Sequence, residues 1–316
     1  MNTVYVGSGE FSRDLLHDLL HAGFEVSGVI TRPDHPAGRG LRQRPTPVKT
    51  TAERAGMRVF QPDGPGDPLF MTALDELRTE IIVVADYGYL LPRSILEYTS
   101  AGCLNVHPSL LPRYRGAAPI QRALMQGERM TGVTLMLLDE GMDTGGVIAR
   151  EELAIEDADN AASLRTRLAS LGACLLNETL PLYISGAAAP APQDETMATY
   201  ADPIRKSDTI INWTRTAGSI HDQVRALSPR PGAYTRFRGK RAKILRSRPR
   251  HDIRGTAPGR LVLDGKEGVI VGAGHGALQI VELQLEGKKA VSAGEFRRGY
   301  RLADGDSFML RSEEEI

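Results

Sequence analysis

Residues 81–116 read IIVVADYGYLLPRSILEYTSAGCLNVHPSLLPRYRG and contain two short apolar runs with a helical stretch between them. The runs Ile81–Ala85 and Cys103–His107 have the length and composition of buried strands, and Ile95–Tyr98 has a helical pattern. A strand, a helix and a second strand in this order predict two parallel strands of one sheet.

The same alternation continues on both sides of this stretch. Further strands are expected at Thr3–Val6, Glu25–Thr31 and Arg58–Phe60, followed by a strand pair at Thr131–Leu138 and Val147–Leu153. Helices are expected from an N-terminal cap at Ser12 to Ala22 and at Leu69–Leu77, Ile120–Met125 and Ala161–Tyr183. Residues 1–188 are therefore predicted to form an α/β, Rossmann-like domain with a mostly parallel sheet and helices on both faces.

The composition changes after Gly186, where alanine, proline and polar residues predominate. Residues 189–206 have the composition of an extended linker. Residues 207–316 begin with a helix expected at Ala217–Leu227. Glycine turns then separate five short strands, expected at Ala233–Phe237, Ala242–Arg246, Gly259–Leu263, Gly268–Val271 and Ala277–Leu283. Several short strands at this spacing predict a small β-barrel.

Charge is distributed unevenly along a chain whose formal net charge is zero. Residues 1–188 carry 17 Lys and Arg against 23 Asp and Glu, whereas residues 189–316 carry 22 against 16. The segment 205–260 carries 15 basic and 3 acidic side chains. This asymmetry is typical of a chain whose second half contacts a polyanion, although a solvated basic face would have the same composition.

The remaining composition indicates a two-domain globular protein of the cytoplasm. The chain has 316 residues, of which 41% are hydrophobic and 25% charged, and its apolar runs are far shorter than a bilayer span. We find no basic and apolar leader typical of secretion. The two cysteines lack metal-ligand spacing, and no metal, membrane or obligate protein partner is predicted.

The chemistry is concentrated at the end of the second strand quoted above. Asn105 and His107 are two residues apart, so both side chains should lie on one face of the sheet, near the edge where α/β proteins bind ligands. An amide donor can stabilise an oxyanion and an imidazole can move protons, which suits acyl transfer. Asp143, in a glycine-rich loop, is the leading candidate to orient the imidazole. Taken singly, His107 could be structural and Asp143 a turn residue.

The longer motifs resemble one family. The run Asn105–Gly116, together with the segments 117–121, 131–134 and 143–145, is similar to the signature of the 10-formyltetrahydrofolate-dependent formyltransferases. The order and spacing are closest to the members that act on methionyl-tRNA. Further similar segments occur across essentially the whole chain, at 32–34, 36–40, 46–49, 193–196, 200–201, 224–226 and 287–290.

The resemblance implies a formyl donor, an acceptor and residues for each. The donor would be 10-formyltetrahydrofolate and the acceptor methionyl initiator tRNA. Asn105, His107 and Asp143 would be the catalytic trio. The folate would be bound by Val84, Asp86, Tyr87, Gly88, Leu90, Ser109, Leu110, Leu111, Pro112 and Asp139. The tRNA would be contacted by Arg39, Arg42, Lys49, Arg238, Lys240 and Arg241, the last three on a C-terminal barrel resembling an OB-fold.

The loop Arg32–Lys49 would carry the central tRNA contact, Arg39. Four prolines and two glycines in this loop predict that it lacks regular structure and is mobile until tRNA binds.

The chain also departs from the family pattern. Gly9 stands where the family usually has proline, and Asp86 stands where alanine is common. The segment Ser228–Pro231 lacks the usual tryptophan. Gly7-Ser8-Gly9 does not complete a dinucleotide motif, because Ser12 stands at the third glycine position.

Two other activities remain open within the same resemblance. A sugar-nucleotide N-formyltransferase would share the trio and the segment Ser109–Pro112, and a formyltetrahydrofolate hydrolase would need no amine acceptor. From a different class, an RNA-binding protein could retain an inactive fold of this type. The segment Arg115–Pro119, the long Arg39 loop and the basic second half favour the tRNA substrate.

Overall fold

The computed structural model describes residues 1–37 and 42–309. The chain divides into two compact units. The first comprises residues 1–119, 130–155 and 164–202, and the second comprises residues 120–129, 156–163 and 203–316.

The first unit is built on a seven-stranded sheet with the strand order β5-β2-β1-β6-β7-β8-β9. The strands of this sheet are β1 Thr3–Gly7, β2 Gly28–Ile30, β5 Val59–Phe60, β6 Ile81–Ala85, β7 Cys103–His107, β8 Met130–Leu137 and β9 Val147–Ala154. A separate hairpin pairs β3 His35–Ala37 with β4 Arg42–Arg44. The helices are α1 Glu10–His21, α2 Pro47–Arg54, α3 Pro68–Glu76, α4 Arg93–Leu96, α5 Pro119–Met125 and α6 Ala161–Ile184, with parts of α5 and α6 contributing to the second unit.

Burial explains why β1, β6 and β7 form the centre of this sheet. Every residue of these three strands is buried. Continuous apolar strands of this kind are covered by helices on both faces and pair in parallel, as β1 with β6 and β6 with β7 do here. β8 runs antiparallel to both of its neighbours, β7 and β9. The predicted α/β, mostly parallel fold is confirmed.

The ends of β6 and β7 position the functional residues. Because the two strands are parallel neighbours, Asp86 directly after β6 and His107 at the end of β7 leave the same edge of the sheet. Ligands bind at this edge in open α/β sheets.

Two local predictions are wrong. Helix α1 begins at Glu10 with Gly9 as its N-cap, and Ser12 does not cap it, because the Ser12 hydroxyl donates to the buried Tyr5 hydroxyl at 2.9 Å. Residues 32–49 also contain regular structure in their described part, namely the β3–β4 hairpin and the start of α2. Proline is compatible with both, because Pro36 lies in an isolated two-stranded hairpin and Pro47 takes the first position of a helix.

The segment expected to be a linker packs against the first unit. Val147 and Ala191 exchange two backbone hydrogen bonds of 2.8 Å. Arg115 donates to the carbonyl of Thr199 and accepts from the backbone of Ala201. The first unit therefore continues to residue 202, whereas the bounds 1–188, 189–206 and 207–316 remain a prediction for the domains.

The second unit is an antiparallel β structure with the strand path β12-β13-β14-β11-β10-β16. Its strands are β10 Ala233–Phe237, β11 Lys240–Arg250, β12 Leu261–Asp264, β13 Gly268–Gly272, β14 Ala277–Leu285, β15 Ala290–Ser292 and β16 Phe308–Met309, and its helices include α7 Ala217–Leu227 and α8 Ala293–Tyr300. A bridge between Arg260 and Ser307 joins the two ends of the path, so the sheet closes on itself as the barrel prediction requires.

The barrel interior is filled by aromatic side chains. Trp213 is fully buried, stacks on Phe308 at 5.7 Å and donates its indole N–H to Thr235. Phe237 meets Phe296 edge to face at 5.0 Å. None of the helices in the described ranges is long and apolar enough to cross a membrane.

Candidate active site

Strand β7 places Asn105 and His107 on one face, as their spacing predicts. Their exposed fractions are 7% and 5%, so both lie largely out of bulk water. The Asn105 amide forms no hydrogen bond with any residue in the described part of the chain. A nearly buried amide left without a protein partner is available to a ligand.

Each ring nitrogen of His107 faces an oxygen. Its Nε2 lies 3.1 Å from the carbonyl of Tyr114, which can only accept, so Nε2 carries the proton. Its Nδ1 lies 3.6 Å from Asp143 Oδ1, too far for a hydrogen bond in this state. A second proton on Nδ1 would face a carboxylate.

Asp143 is held in an uncommon backbone conformation. Its φ of +56° lies in the left-handed region, which costs a non-glycine residue on the order of 1 kcal/mol. Its Oδ2 accepts from the backbone N–H of Gly116 at 2.8 Å. The β8–β9 loop thus brings the carboxylate to His107, and the structure places the predicted trio together.

Two residues that the sequence did not identify as functional hold this loop. The Gln193 amide donates to the carbonyls of Asp143 and Gly145, both at 2.8 Å. The Arg115 guanidinium, which is fully buried, donates to Gln193 Oε1. Both residues lie within motifs of the family resemblance, but 78 positions separate them, and no local pattern shows that they meet.

Asp86 and Gly9, two of the departures from the family pattern, are in contact. The backbone N–H groups of Ser8 and Gly9 donate to the carbonyl of Asp86 at 3.1 and 3.2 Å. A Cβ on residue 9 would lie 1.6 Å from Asp86 Oδ2, so a larger residue would displace the carboxylate. These two departures therefore form one structural feature.

The electrostatic surroundings of Asp86 are mixed. Solvent reaches the carboxylate, but protein packs closely around it, and this desolvation raises its pKa to about 6. The charges of Arg32 and Arg165 oppose the rise, and Glu10 adds to it.

The other predicted folate residues occupy two segments and, for Asp139, the β8–β9 loop. The first runs from the end of β6 into the loop after it, where Val84 and Tyr87 are buried and Leu90 is 61% exposed. Gly88 adopts a φ of +85°. The buried Tyr87 hydroxyl has no hydrogen-bond partner among the described residues, and burial raises the pKa of Tyr87 to about 12.

The second segment, Ser109–Pro112, follows β7. The Thr134 hydroxyl fixes it by donating to the carbonyl of Ser109 at 2.7 Å and accepting from the backbone N–H of Leu111 at 3.1 Å. Leu110 is half-buried, and a Cβ on Gly132 would meet its side chain. Asp139 accepts from Thr144 within the β8–β9 loop.

The predicted tRNA contacts in the first unit differ in their surroundings. Arg39 lies outside the described residues, as does the side chain of Arg42. Lys49 already has partners, because its ammonium contacts Asp34 at 2.9 Å and Gln61 at 2.7 Å. Lys49 thus stabilises the base of the loop in the absence of tRNA.

The predicted contacts in the second unit surround the turn between β10 and β11. Arg238 and Gly239 both have positive φ, at +45° and +77°, as a two-residue type I′ hairpin requires. Arg238 pairs with Asp306 at 3.0 Å, and Lys240 is exposed. Arg241 lies 3.5 Å from the centre of the Tyr234 ring, and its buried Nε has no hydrogen-bond partner among the described residues.

No group of histidine, cysteine or acidic side chains within residues 1–37 and 42–309 is arranged to hold a metal ion.

The raised pKa of Asp86 predicts a pH-dependent effect of Asp86→Asn on stability. The folded pKa, about 6, exceeds the ordinary value of 3.8, so the ionised carboxylate destabilises the fold at pH 7 and above. We expect Asp86→Asn to raise the melting temperature at pH 7.5 and to lose this advantage as pH falls from about 6 toward 4. Calorimetry across this range measures the effect.

Asp67 provides a control of opposite sign. Hydrogen bonds from the backbone N–H groups of Asp63 and Leu69 lower the pKa of Asp67. Asp67→Asn should therefore lower the melting temperature at pH 7.5. An Asp86→Asn advantage that does not change with pH would contradict the prediction.

Comparison with known proteins agrees with this geometry. The sequence profile of the Formyl transferase family matches residues 1–180, and the profile of the Formyl transferase C-terminal domain matches residues 203–301. A methionyl-tRNA formyltransferase of Carboxydothermus hydrogenoformans is 45% identical, covering 98% of this chain and 99% of that relative. Another, of Pelotomaculum thermopropionicum, is 42% identical over 96% and 97% of the two chains.

A solved structure shows the same fold at lower identity. HypX from Aquifex aeolicus in complex with tetrahydrofolic acid matches 98% of this chain and 51% of its own, with a TM-score of 0.66 and 20% identity. Profile matches to both domains and relatives of similar length lead to one conclusion: the chain belongs to the formyl transferase family, in the group of the methionyl-tRNA formyltransferases.

Proposed function

We propose that the protein transfers the formyl group of 10-formyltetrahydrofolate to the α-amino group of methionyl initiator tRNA, giving N-formylmethionyl-tRNA for translation initiation in the cytoplasm. The observation that carries this proposal is the convergence of Asn105, His107 and Asp143 at one edge of the sheet. The near full-length relatives named methionyl-tRNA formyltransferase support the acceptor.

The chemistry begins when the α-amine of the methionyl ester attacks the formyl carbon. Negative charge then develops on the formyl oxygen, and a positioned donor lowers the energy of this state. The Asn105 amide serves as that donor, because it is nearly buried and makes no competing hydrogen bond with the described residues. In a site that excludes water, such a donor is stronger than the same group in solution.

His107 handles the proton that the attacking amine must lose. The ring donates from Nε2 to the carbonyl of Tyr114 and presents Nδ1 toward Asp143. A proton on each nitrogen would then face an acceptor, the Tyr114 carbonyl for Nε2 and the Asp143 carboxylate for Nδ1. The proton then passes to the N10 leaving group of the folate as the tetrahedral intermediate collapses.

The folate site is proposed between the segment after β6 and the segment after β7. Both segments carry exposed or semi-exposed apolar groups, including Leu90 and Leu110, that suit a flat heterocycle. The orphaned hydroxyl of Tyr87 is a polar group that a ligand or water would satisfy.

The tRNA surface is proposed on the basic second unit. Three cations, Arg230, Arg241 and Lys243, lie close enough to interact on or beside the β10–β11 hairpin. Burial lowers the pKa of Lys243, and the charges of Arg241 and Arg230 lower it further. Mutual repulsion of this kind is relieved when a phosphate binds. A sugar nucleotide carries two phosphates and does not need such a surface, so we favour tRNA.

Replacing any one residue of the trio should severely lower turnover. Asn105→Ala, His107→Ala and Asp143→Ala should each lower kcat by at least ~100-fold, because each acts on the same transition state. Transfer from labelled folate, assayed side by side on methionyl-tRNA and on amino-sugar nucleotides, measures both turnover and acceptor. Near-normal turnover in any variant would remove that residue from the mechanism, and transfer to the sugar alone would replace the proposed acceptor.

Replacing Arg39 should impair the use of tRNA separately from the binding of folate. Arg39→Ala should raise KM for tRNA by about 10-fold or more, the cost of a lost charge-assisted contact, while the affinity for folate stays within about 2-fold. Steady-state kinetics with each substrate varied in turn make the distinction. An equal loss for folate would assign the loop to the folate pocket instead.

Binding of tRNA to the β10–β11 hairpin should depend on the salt concentration. Replacing Arg238, Lys240 and Arg241 with alanine should weaken tRNA binding and flatten its salt dependence, because fewer counterions are released. Binding titrations between about 50 and 200 mM salt provide the slope. The control replaces Arg54, Arg78 and Arg93, three exposed arginines of the first unit, and should leave the slope unchanged. Equal slopes for both triple variants would identify the hairpin as a solvated surface.

A further inference from the structure

We propose that Gln193 and Arg115 are positioning residues of the formyl-transfer reaction, which hold Asp143 where His107 needs it. This inference rests on the proposed function and extends it to the chain segment around Gln193. That segment follows the catalytic sheet and has the composition of a linker.

The Gln193 side chain lies between the Asp143 loop and a buried charge. Its Nε2 uses both N–H groups, one for the carbonyl of Asp143 and one for that of Gly145. Its Oε1 accepts from Arg115 Nε at 3.2 Å and Nη2 at 2.9 Å. Every hydrogen-bonding group of the amide is therefore used, and the side chain has one orientation.

Arg115 determines that orientation. Its guanidinium is fully buried and presents only donors, so the group facing it must be the amide oxygen of Gln193. The amide nitrogen is then directed to the two carbonyls. If the side-chain amide of Gln193 were flipped end for end, its NH₂ group would face the N–H groups of Arg115. Its oxygen would then face the two backbone carbonyls.

Glu195 keeps the arginine in place. It accepts two hydrogen bonds from Arg115, of 2.7 and 2.8 Å, in the paired geometry that is strongest for this combination. The hydrogen bonds with Glu195 raise the pKa of Arg115, and those with Arg115 lower the pKa of Glu195. Glu195 is largely exposed, so the Arg115–Glu195 ion pair reaches the protein surface. On its buried side, Arg115 contacts Gln193, which in turn binds the Asp143 loop.

The backbone adds a second connection between the same segments. Arg115 N–H donates to the carbonyl of Thr199 at 2.8 Å, and Ala201 N–H donates to the carbonyl of Arg115 at 2.7 Å. Ala118 N–H donates to the carbonyl of Ala201 at 3.0 Å. The segment that carries Gln193 therefore fixes the backbone of Arg115 through both its N–H and its carbonyl.

Asp143 depends on this support because of its own conformation. A left-handed φ of +56° persists in a non-glycine residue only when its surroundings maintain it. Two anchors do so here, the Gly116 N–H on the carboxylate and the Gln193 amide on the carbonyl. Loss of the second would let the loop relax and increase the distance between Asp143 and His107.

Gln193→Glu tests this arrangement with almost no change in shape. The variant keeps an oxygen for Arg115 but directs a second oxygen at the carbonyls of Asp143 and Gly145, where it cannot donate when ionised. We expect kcat to fall about 10- to 100-fold, as for a small misplacement of a reacting group. KM for folate and for tRNA should change less than about 2-fold, because every hydrogen-bonding group of the Gln193 amide is used within the protein.

The chain contains a matched control for loss of the two hydrogen bonds that Gln193 donates. Gln223, in the second unit, also donates two hydrogen bonds to backbone carbonyls, those of Asp208 and Ile210, at 2.7 and 2.9 Å. Gln193→Leu and Gln223→Leu should both lower the melting temperature. Only Gln193→Leu should lower kcat when both are assayed well below their melting temperatures.

A spectroscopic measurement tests the positioning role without any acceptor substrate. The ¹⁵N resonance of His107 Nδ1 reports the approach of Asp143 without any substrate, and His107→Asn assigns it. It should move in Gln193→Glu and remain in place in Gln223→Leu. An unchanged resonance together with a kcat within 2-fold of the parent would overturn the positioning role. A parent without transfer to methionyl-tRNA, but with the expected resonance change, would overturn only the proposed function.

Discussion

The buried charge of Arg115 is the constraint on which the candidate site depends. A guanidinium without solvent contact must be paired, since an unpaired buried charge costs several kcal/mol. Its partners, Gln193 and Glu195, lie 78 and 80 residues further along the chain. Satisfying this single side chain therefore brings the end of the β7 segment and the segment after α6 together. Through Gln193, it also fixes the β8–β9 loop that carries Asp143.

This arrangement prepares the site before any substrate arrives. Asn105 and His107 are fixed by a fully buried strand, and Asp143 is fixed by hydrogen bonds to its carboxylate and its carbonyl. The Asn105 amide is left without a partner in the described structure, and the second nitrogen of His107 faces a carboxylate. Groups that are already oriented need no reorganisation when charge develops, which is the main source of electrostatic catalysis.

The proposed tRNA-binding cations differ in whether they already have a protein partner, which a phosphate would have to replace. Lys49 is already bonded to Asp34 and Gln61, and Arg238 is paired with Asp306. Arg241, in contrast, stacks on Tyr234 and leaves a buried Nε unsatisfied among the described residues. A basic composition identifies the region in which an anion would bind, but the partners of each side chain identify which charges remain for it.

The sequence alone predicted the strand–helix alternation, the proposed trio and a two-part organisation, because each prediction depends on local pattern or on a motif with fixed spacing. Strand β7, helix α7 and strand β10 have the bounds that their patterns predict. Ser12 was misassigned as a cap because its hydroxyl bonds to Tyr5 instead, and the β3–β4 hairpin was missed because prolines are compatible with an edge strand. Only the tertiary structure decided that Gly9 accommodates Asp86 and that Arg115 meets Gln193 and Glu195. These contacts join residues far apart in the chain, and no local pattern encodes which distant side chain will satisfy a buried polar group.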